Sequence, residues 1–278
     1  MAIDSKRKKA GGIVAAPAPG FAKFLEMAHA LADQTGTVIL PHFRTRLGID
    51  HKGGSLLDPV TEADVAAERA IRDTLSAACP AHGVIGEELG TTNPEADFCW
   101  IIDPIDGTRA FIMGQPLWGT LIGLMQRGRP LLGLMDQPFT GERFWSGEER
   151  SFFRHHGEER PIATRDCPSL GDALLGSSSP DLFETEDDRD RFDRIVRAVR
   201  MRRFGGDCYN YCLLAMGALD LVVEAGLQDF DIVPLIPIVE RAGGVVSTWD
   251  GGDPRKGGHI LAAGDPRLHA KAVKVLAG

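Results

Sequence analysis

No run of 18 apolar residues occurs in the 278-residue chain, so no transmembrane helix is expected. Positive charge is not in excess either. Asp and Glu number 39 against 31 Lys and Arg, a net charge of −8. The global basic footprint of a nucleic-acid-binding protein is therefore missing. Cysteine is scarce and odd in number: Cys79, Cys99, Cys167, Cys208 and Cys212. No pair has zinc-finger spacing, and a disulfide framework does not fit five thiols in a chain of this length. The expectation is reduced thiols in a cytoplasmic protein. Cys208 and Cys212 lie four apart, on one face of an expected helix, and read as buried core thiols. The eight histidines show no metal-ligand spacing. There is no internal repeat and no low-complexity core.

The first residues carry a basic patch, Lys6 to Lys9, and then an Ala/Pro/Gly-rich stretch. The apolar part, Ile13 to Ala16, is too short and broken for a signal-peptide core. Residues 1–19 are expected to be a disordered basic tail.

What is present is ordinary for a globular protein, at 43% apolar and 25% charged residues. Phe21, Phe24, Leu25, Ala28, Leu31 and Ala32 form one stripe of a helix expected within residues 20–46. A second helix is expected over 61–79, with Thr61 as N-cap and Val65, Ile71 and Leu75 inward. Val84-Ile85 and 99–102 read as short strands. Residues 119–125 and 131–135 read as a strand pair, which Phe144-Trp145 extends. Helices are expected at 187–200, 207–217 and 266–276, and another opened by Asp231 and closed by Gly243-Gly244. Strands are expected at 219–224, 245–247 and 259–263. Such a mixture suggests mixed α/β sheets sandwiched by helices. A composition shift near residue 150 divides an N-terminal sub-domain, 20–150, from a C-terminal one, 151–278. Their junction is a natural place for a site.

An acidic protein that handles an anion needs local positive charge, and bound metal ions supply it. Trp100 to Thr108 offers the place. An apolar strand ends in Asp103, Pro104 bends the chain, and Asp106 returns a second carboxylate. Gly107 permits close approach, and a helix beginning near Thr108 would turn free N–H groups toward phosphate. Two hard carboxylates beside such a turn suit Mg²⁺, which takes oxygen ligands. A bare turn with two solvated aspartates is the alternative. Glu87, at the end of the neighbouring strand, could complete a metal shell, or be an ordinary surface Glu. Asp231 could be a ligand or a simple N-cap. In Asp58 to Asp64, Asp64 could accept a proton and Asp58 orient a loop, or the segment could only cap a helix.

Gly86-Glu87-Glu88, Trp100 to Thr108, Asp58 to Asp64 and Asp231 to Gly244 together resemble the four signatures of the inositol monophosphatase family, in family order, across about residues 20 to 275. The resemblance implies the layered αβαβα sugar-phosphatase fold, a homodimer, and a phosphate monoester hydrolase acting on a small molecule rather than on membranes or nucleic acid. By position it implies metal ligands at Glu87, Asp103, Asp106, Asp231 and the carbonyl of Ile105, holding two to three Mg²⁺, with Mn²⁺ as a substitute. Thr108 and Asp64 would hold the attacking water, the Thr108 hydroxyl bonding to Asp64. The amides of Gly107 and Thr108 would hold phosphate, and Glu224 would contact the alcohol. Arg109, the segments 119–124, 136–138 and 205–209, and the stretches 249–252 and 263–269 are similar to the histidinol-phosphate phosphatase branch, which serves histidine biosynthesis. A pocket offering Asp207 and Glu224 would attract a cationic alcohol. Asp207 could equally be an N-cap, and Arg109 a solvated surface residue. An inositol-1-phosphatase or a broader sugar or nucleotide phosphatase is the alternative within enzymes. A regulatory RNA- or protein-binding member is the alternative of a different class, supported by the basic tail alone.

Overall fold

A computed structural model describes residues 20–45, 49–51 and 59–278, with only the course of the backbone at 49–51 and 59–61. The basic tail, Gly53-Gly54, Asp58 and the side chain of Thr61 lie outside the described residues.

The chain opens with α1 (Phe21–Ile39), which buries Ala28, Leu31 and Ala32 as the stripe requires. It stops short of residue 46 because Pro41 lies in a 3₁₀ turn directly after it and supplies no N–H. A short ribbon of β1 (Ile49–His51) and β2 (Pro59–Thr61) leads into α2 (Glu62–Ala78). Glu62 and Asp64 in its first turn complement the helix dipole, and Ala67, Ile71 and Leu75 face the core. Next come β3 (Gly83–Gly86), β4 (Gly90–Thr92), β5 (Phe98–Asp106), α3 (Thr108–Ile112), β6 (Gly119–Gln126) and β7 (Arg129–Gln137). Arg127 and Gly128, both at positive φ, make the tight turn between β6 and β7. The meander continues through β8 (Glu142–Ser146), β9 (Ser151–His155) and β10 (Glu158–Ile162). The remainder is β11 (Leu174–Ser177), α4 (Glu186–Ala198), β12 (Met201–Phe204), α5 (Asp207–Ala215), β13 (Leu221–Leu227), α6 (Asp229–Ile232), α7 (Leu235–Ala242), β14 (Val245–Thr248), β15 (Gly258–Ala263) and α8 (Pro266–Ala277).

Eight strands form one sheet in the order β10-β9-β8-β7-β6-β5-β3-β4, and five form another in the order β12-β11-β13-β15-β14. The change of sheet falls between Ile162 and Leu174. Period-two alternation separates the faces. Ile122, Leu124, Leu132 and Leu134 pack beneath α1 and α2 with Trp100 and Ile102. Leu121, Met135 and Phe144 point the other way, onto α5 and α7. Val222, Ile260 and Ala262 of the five-stranded sheet meet the same two helices. Leu221, Val223 and Leu261 face α4 and α8 instead. The order of layers is therefore helices, sheet, helices, sheet, helices, the αβαβα arrangement expected from the sequence.

Two local features depart from the reading of the sequence. Asp231 does not open a helix; it is the third residue of α6, whose N-cap is Gln228. The expected single helix to Gly243 is broken at Pro234, and α7 starts afresh after it. That break lies over Gly133 of β7, where an added Cβ would overlap the Pro234 carbonyl. The central helix layer thus rests directly on sheet backbone there.

Candidate active site

β3 and β5 are parallel, with Gly86 beside Ile102, so the next residue of each strand, Glu87 and Asp103, emerges at the same end. The Glu87 amide extends the ladder by donating to the Ile102 carbonyl at 3.2 Å. Beyond Asp103 the register with β6 shifts until Asp106 meets Gly119. One extra residue there makes a β-bulge, with Pro104 and Ile105 opposite Thr120 alone. The buried Thr120 hydroxyl holds that bulge by donating to the Pro104 carbonyl at 2.8 Å. Gly107, at φ 85°, turns the chain into α3.

Two further segments close on this bulge. The Cys208 amide at the start of α5 donates to Asp106 Oδ2 at 2.6 Å. Asp231 of α6 is oriented by the Gln228 amide, which donates to its Oδ2 at 2.7 Å. One carboxylate oxygen from each of Asp103, Asp106 and Asp231 lies within 4.8 Å of the others. Asp103 is 1% exposed. Its Oδ1 has no hydrogen-bond partner. Burial pushes the Asp103 carboxyl well above its ordinary range, and the charges of Glu87, Asp106 and Asp231 push it further. Burial, then the nearby Asp207 charge, raises Asp106 to about 7. Burial, then Asp106, raises Asp231. Hard oxygen donors crowded to this degree, one of them orphaned, fit a small divalent cation; without it they must hold protons.

The cluster opens into a cavity of about 1070 Å³, also lined by Glu87, Ile105, Gly107, Thr108, Arg109, Asp207 and Glu224. Of the described site residues expected from the sequence, Asp64 alone does not line it. Asp64 is buried in the first turn of α2, whose Ala63 and Ala67 pack against Ile105. The Thr108 hydroxyl lies within hydrogen-bond distance of the Ile105 carbonyl, at 3.1 Å.

Asp207 is not an N-cap. It is the first residue of α5 and adopts φ 41°, following two glycines that are also at positive φ. Strain of that kind persists only where the surroundings impose it. Burial raises its pKa, opposed by a hydrogen bond from Ser178 and by the charge of Arg109. Glu224 of β13 is fully buried. Its Oε1 accepts both the amide and the hydroxyl of Ser178, each at 2.9 Å. Its Oε2 has no partner. Burial pushes Glu224 well above its ordinary range.

Two cavity residues escaped the reading of the sequence. Ser178 follows β11, which runs parallel to β13, so it stands at a strand end next to Glu224. Tyr211 lines the cavity at 2% exposure with an unpartnered hydroxyl. It lies four residues after Asp207 on α5, and that spacing on one helix face was the available signal.

The sequence profile of the inositol monophosphatase family matches residues 21–277. The chain belongs to that family. Among the family's members, it is 40% identical to the chloroplastic bifunctional phosphatase IMPL2 of Arabidopsis thaliana, over 91% of this chain and 75% of that one. It is 35% identical to the histidinol-phosphatase of Mycobacterium tuberculosis, over 86% of this chain and 92% of that one. Its fold superposes on an inositol monophosphatase from Zymomonas mobilis with a TM-score of 0.83 and 42% identity, covering 94% of this chain and all of that one. Membership makes the protein a phosphatase of phosphate esters. Among the described residues no helix is long and apolar enough to cross a membrane.

Proposed function

We propose that the chain is a Mg²⁺-dependent histidinol-phosphatase, hydrolysing L-histidinol phosphate to L-histidinol and phosphate. The observation that carries this reading is the pair of acids, half-buried Asp207 and fully buried Glu224, in the same cavity as the Asp103 cluster. A fully buried carboxylate with an unpartnered oxygen, as in Glu224, is unfavourable unless a cation pairs with it, and Asp207 adds a second acid beside it. L-Histidinol offers an ammonium and an imidazole. A neutral polyol such as inositol offers neither charge and would leave Glu224 Oε2 poorly matched. A relative named histidinol-phosphatase, at 35% identity, supports the same choice.

Glu87, Asp103, Asp106, Asp231 and the Ile105 carbonyl would hold the cations. When bound, divalent cations acidify water and neutralise charge on phosphate and on the departing alkoxide. The amides of Gly107 and Thr108 would face the phosphoryl oxygens, with Arg109 adding positive charge. The Thr108 hydroxyl, bonded to Asp64, would orient the water that attacks phosphorus in line. Asp64 would accept the proton passed on through Thr108. The P–O bond to the alcohol breaks, the alcohol oxygen takes a proton, and no covalent phospho-enzyme forms.

The competing reading is an inositol-1-phosphatase. It draws on the 42% identity to a structure bearing that activity in its name. The two diverge in kcat/KM measured side by side on L-histidinol phosphate and inositol 1-phosphate. We expect preference for the first, and expect Asp207→Asn to shrink it. Preference for inositol 1-phosphate would overturn the assignment.

A further inference from the structure

The acidic cluster needs Glu87 held still, yet Glu87 lies in a three-residue turn joining β3 to β4 at the edge of a sheet. Such turns are commonly solvated and mobile. This one is pinned from beneath. Glu68 of α2 is fully buried. Its Oε2 accepts the Glu88 amide at 2.7 Å, and its Oε1 accepts the Leu89 amide at 3.2 Å. With the Glu87 amide bonded to Ile102, three successive turn amides are accounted for inside the protein. Arg72, one helical turn on, donates to Glu68 Oε1 at 2.7 Å. The same guanidinium also donates to the Gly90 carbonyl and the Thr92 hydroxyl, gripping β4 just past the turn. Gly86 completes the fit. An added Cβ there would overlap the Glu68 carboxylate, which therefore lies flush against the last residue of β3.

The chemistry calls for a carboxylate. Three N–H donors converge on Glu68. Gln would offer one acceptor oxygen and turn its own N–H₂ toward a donor. Bonds from backbone amides to an ionised acceptor are also the stronger kind.

We propose that Glu68, clamped by Arg72, is the positioning residue for Glu87, fixing the 87–89 turn so that the Glu87 carboxylate is presented to the divalent-cation site. The inference rests on the reading of Glu87 as a metal ligand and is tested together with it. Mn²⁺ is titrated alone into the metal-free protein, and free Mn²⁺ is read by electron paramagnetic resonance. Glu68→Gln is expected to raise the Mn²⁺ Kd by about 10- to 100-fold, the usual effect of removing a group that orients a metal ligand. Arg72→Gln should shift Kd in the same direction by less. Turnover by Glu68→Gln should recover toward the native kcat as metal is raised. Ile71→Val, a core change on the same helix, should lower Tm and leave Kd alone. A Glu68→Gln protein with native Kd and a lowered Tm would make Glu68 merely structural and sink the proposal. Should that variant fail to fold, Arg72→Gln decides by the same criterion. Glu87→Gln separates the two claims. If it weakens Mn²⁺ binding while Glu68→Gln and Arg72→Gln do not, only the positioning role is lost. If Glu87→Gln leaves Kd unchanged, Glu87 is not a ligand and the positioning role falls with it.

Discussion

Asp106→Asn in the metal-free protein should stabilise the fold, and do so more at pH 8 than at pH 5.5. Burial, then the Asp207 charge, lifts the Asp106 carboxyl to about 7, although the hydrogen bonds from Cys208 pull it down. A carboxyl raised in the folded state binds its proton more tightly there than in the unfolded chain. Its contribution to stability is fully present below the ordinary carboxylate range and is lost as pH rises through about 7. From pH 5.5 to that value is about 1.5 units at ~1.36 kcal/mol each, so the native chain gives up about 2 kcal/mol by pH 8. Asn has no proton to lose and keeps an oxygen for the Cys208 amide. The stability gap between variant and native should therefore widen by about 2 kcal/mol between the two pH values. A Coulomb estimate is of the same order: two charges 4.8 Å apart repel by roughly 3.5 kcal/mol at an effective dielectric of about 20. Asp106 also raises Asp103 and Asp231, and relief there adds in the same direction.

Histidines titrate in this window as well. Burial lowers His29 to about 4 and also lowers His82 and His269, so acidification below the ordinary histidine range costs stability. That loss is common to both proteins and cancels in the difference. The assay is urea unfolding of chelator-treated protein at pH 5.5 and pH 8, repeated with Mg²⁺. Saturating Mg²⁺ should reverse the order, since ligand at 100 times its Kd stabilises the native chain by about 2.7 kcal/mol. An equal gap at both pH values, or a variant less stable than native at pH 8 without metal, would refute the crowding of this cluster. Failure of Mg²⁺ to reverse the order would refute Asp106 as a ligand.

Thr108→Ala should lower kcat by at least about 10²-fold, the range for losing a positioned proton-transfer group, with Tm nearly unchanged by calorimetry. Glu224→Gln should cost about 1.5–3 kcal/mol of binding to a cationic alcohol, seen as a KM for L-histidinol phosphate raised roughly 10-fold or more. KM for inositol 1-phosphate should move much less, and equal shifts for both substrates would contradict the charge argument. Gly133→Ala should destabilise by about 1–3 kcal/mol in urea, because its methyl group meets the Pro234 carbonyl, which belongs to the backbone and cannot swing aside.

The parts of this molecule governed by local rules were legible in the sequence. Residues 119–125 and 131–135 read as a strand pair, and Leu121 and Ile122 do point into different layers. The stripe of α1 and the glycine closing α7 follow from equally short-range physics. The α6–α7 break was missed although Pro234 is visible, because a proline in the first turn of a helix is tolerated and only tertiary contact reveals which residue begins that turn. The site was legible where carboxylates end apolar strands, as at Asp103 and Glu87. Ser178 and Tyr211 were not, because each enters the cavity through long-range packing: Ser178 through the pairing of β11 with β13, Tyr211 through the seating of α5 against β6.

The two sheets contribute to the cavity in the same way, and this accounts for where the acids lie. The parallel pairing of β3 with β5 ends just before Glu87 and Asp103, and that of β11 with β13 ends just before Ser178 and Glu224. Parallel neighbours bring side chains out at one edge, where ligands of open α/β sheets bind. Neither edge alone makes the site. The Cys208 amide, on a helix packed between the sheets, fixes Asp106 of the first, and the strained Asp207 beside it reaches toward Gly107. Groups that recognise the alcohol and groups that hold the phosphate end are thereby tied through two adjacent residues of α5. A change in the packing of α5, such as Cys212→Ser beneath it, should then disturb metal affinity and alcohol selectivity together, whereas a change in either sheet alone should disturb one. Cys212 is fully buried and its thiol is pushed well above its ordinary range by burial, so its hydroxyl replacement would enter the core as a poorly partnered polar group rather than as a reactive one. Mn²⁺ affinity and the ratio of kcat/KM on the two esters, measured on the same preparation, separate coupled from independent behaviour.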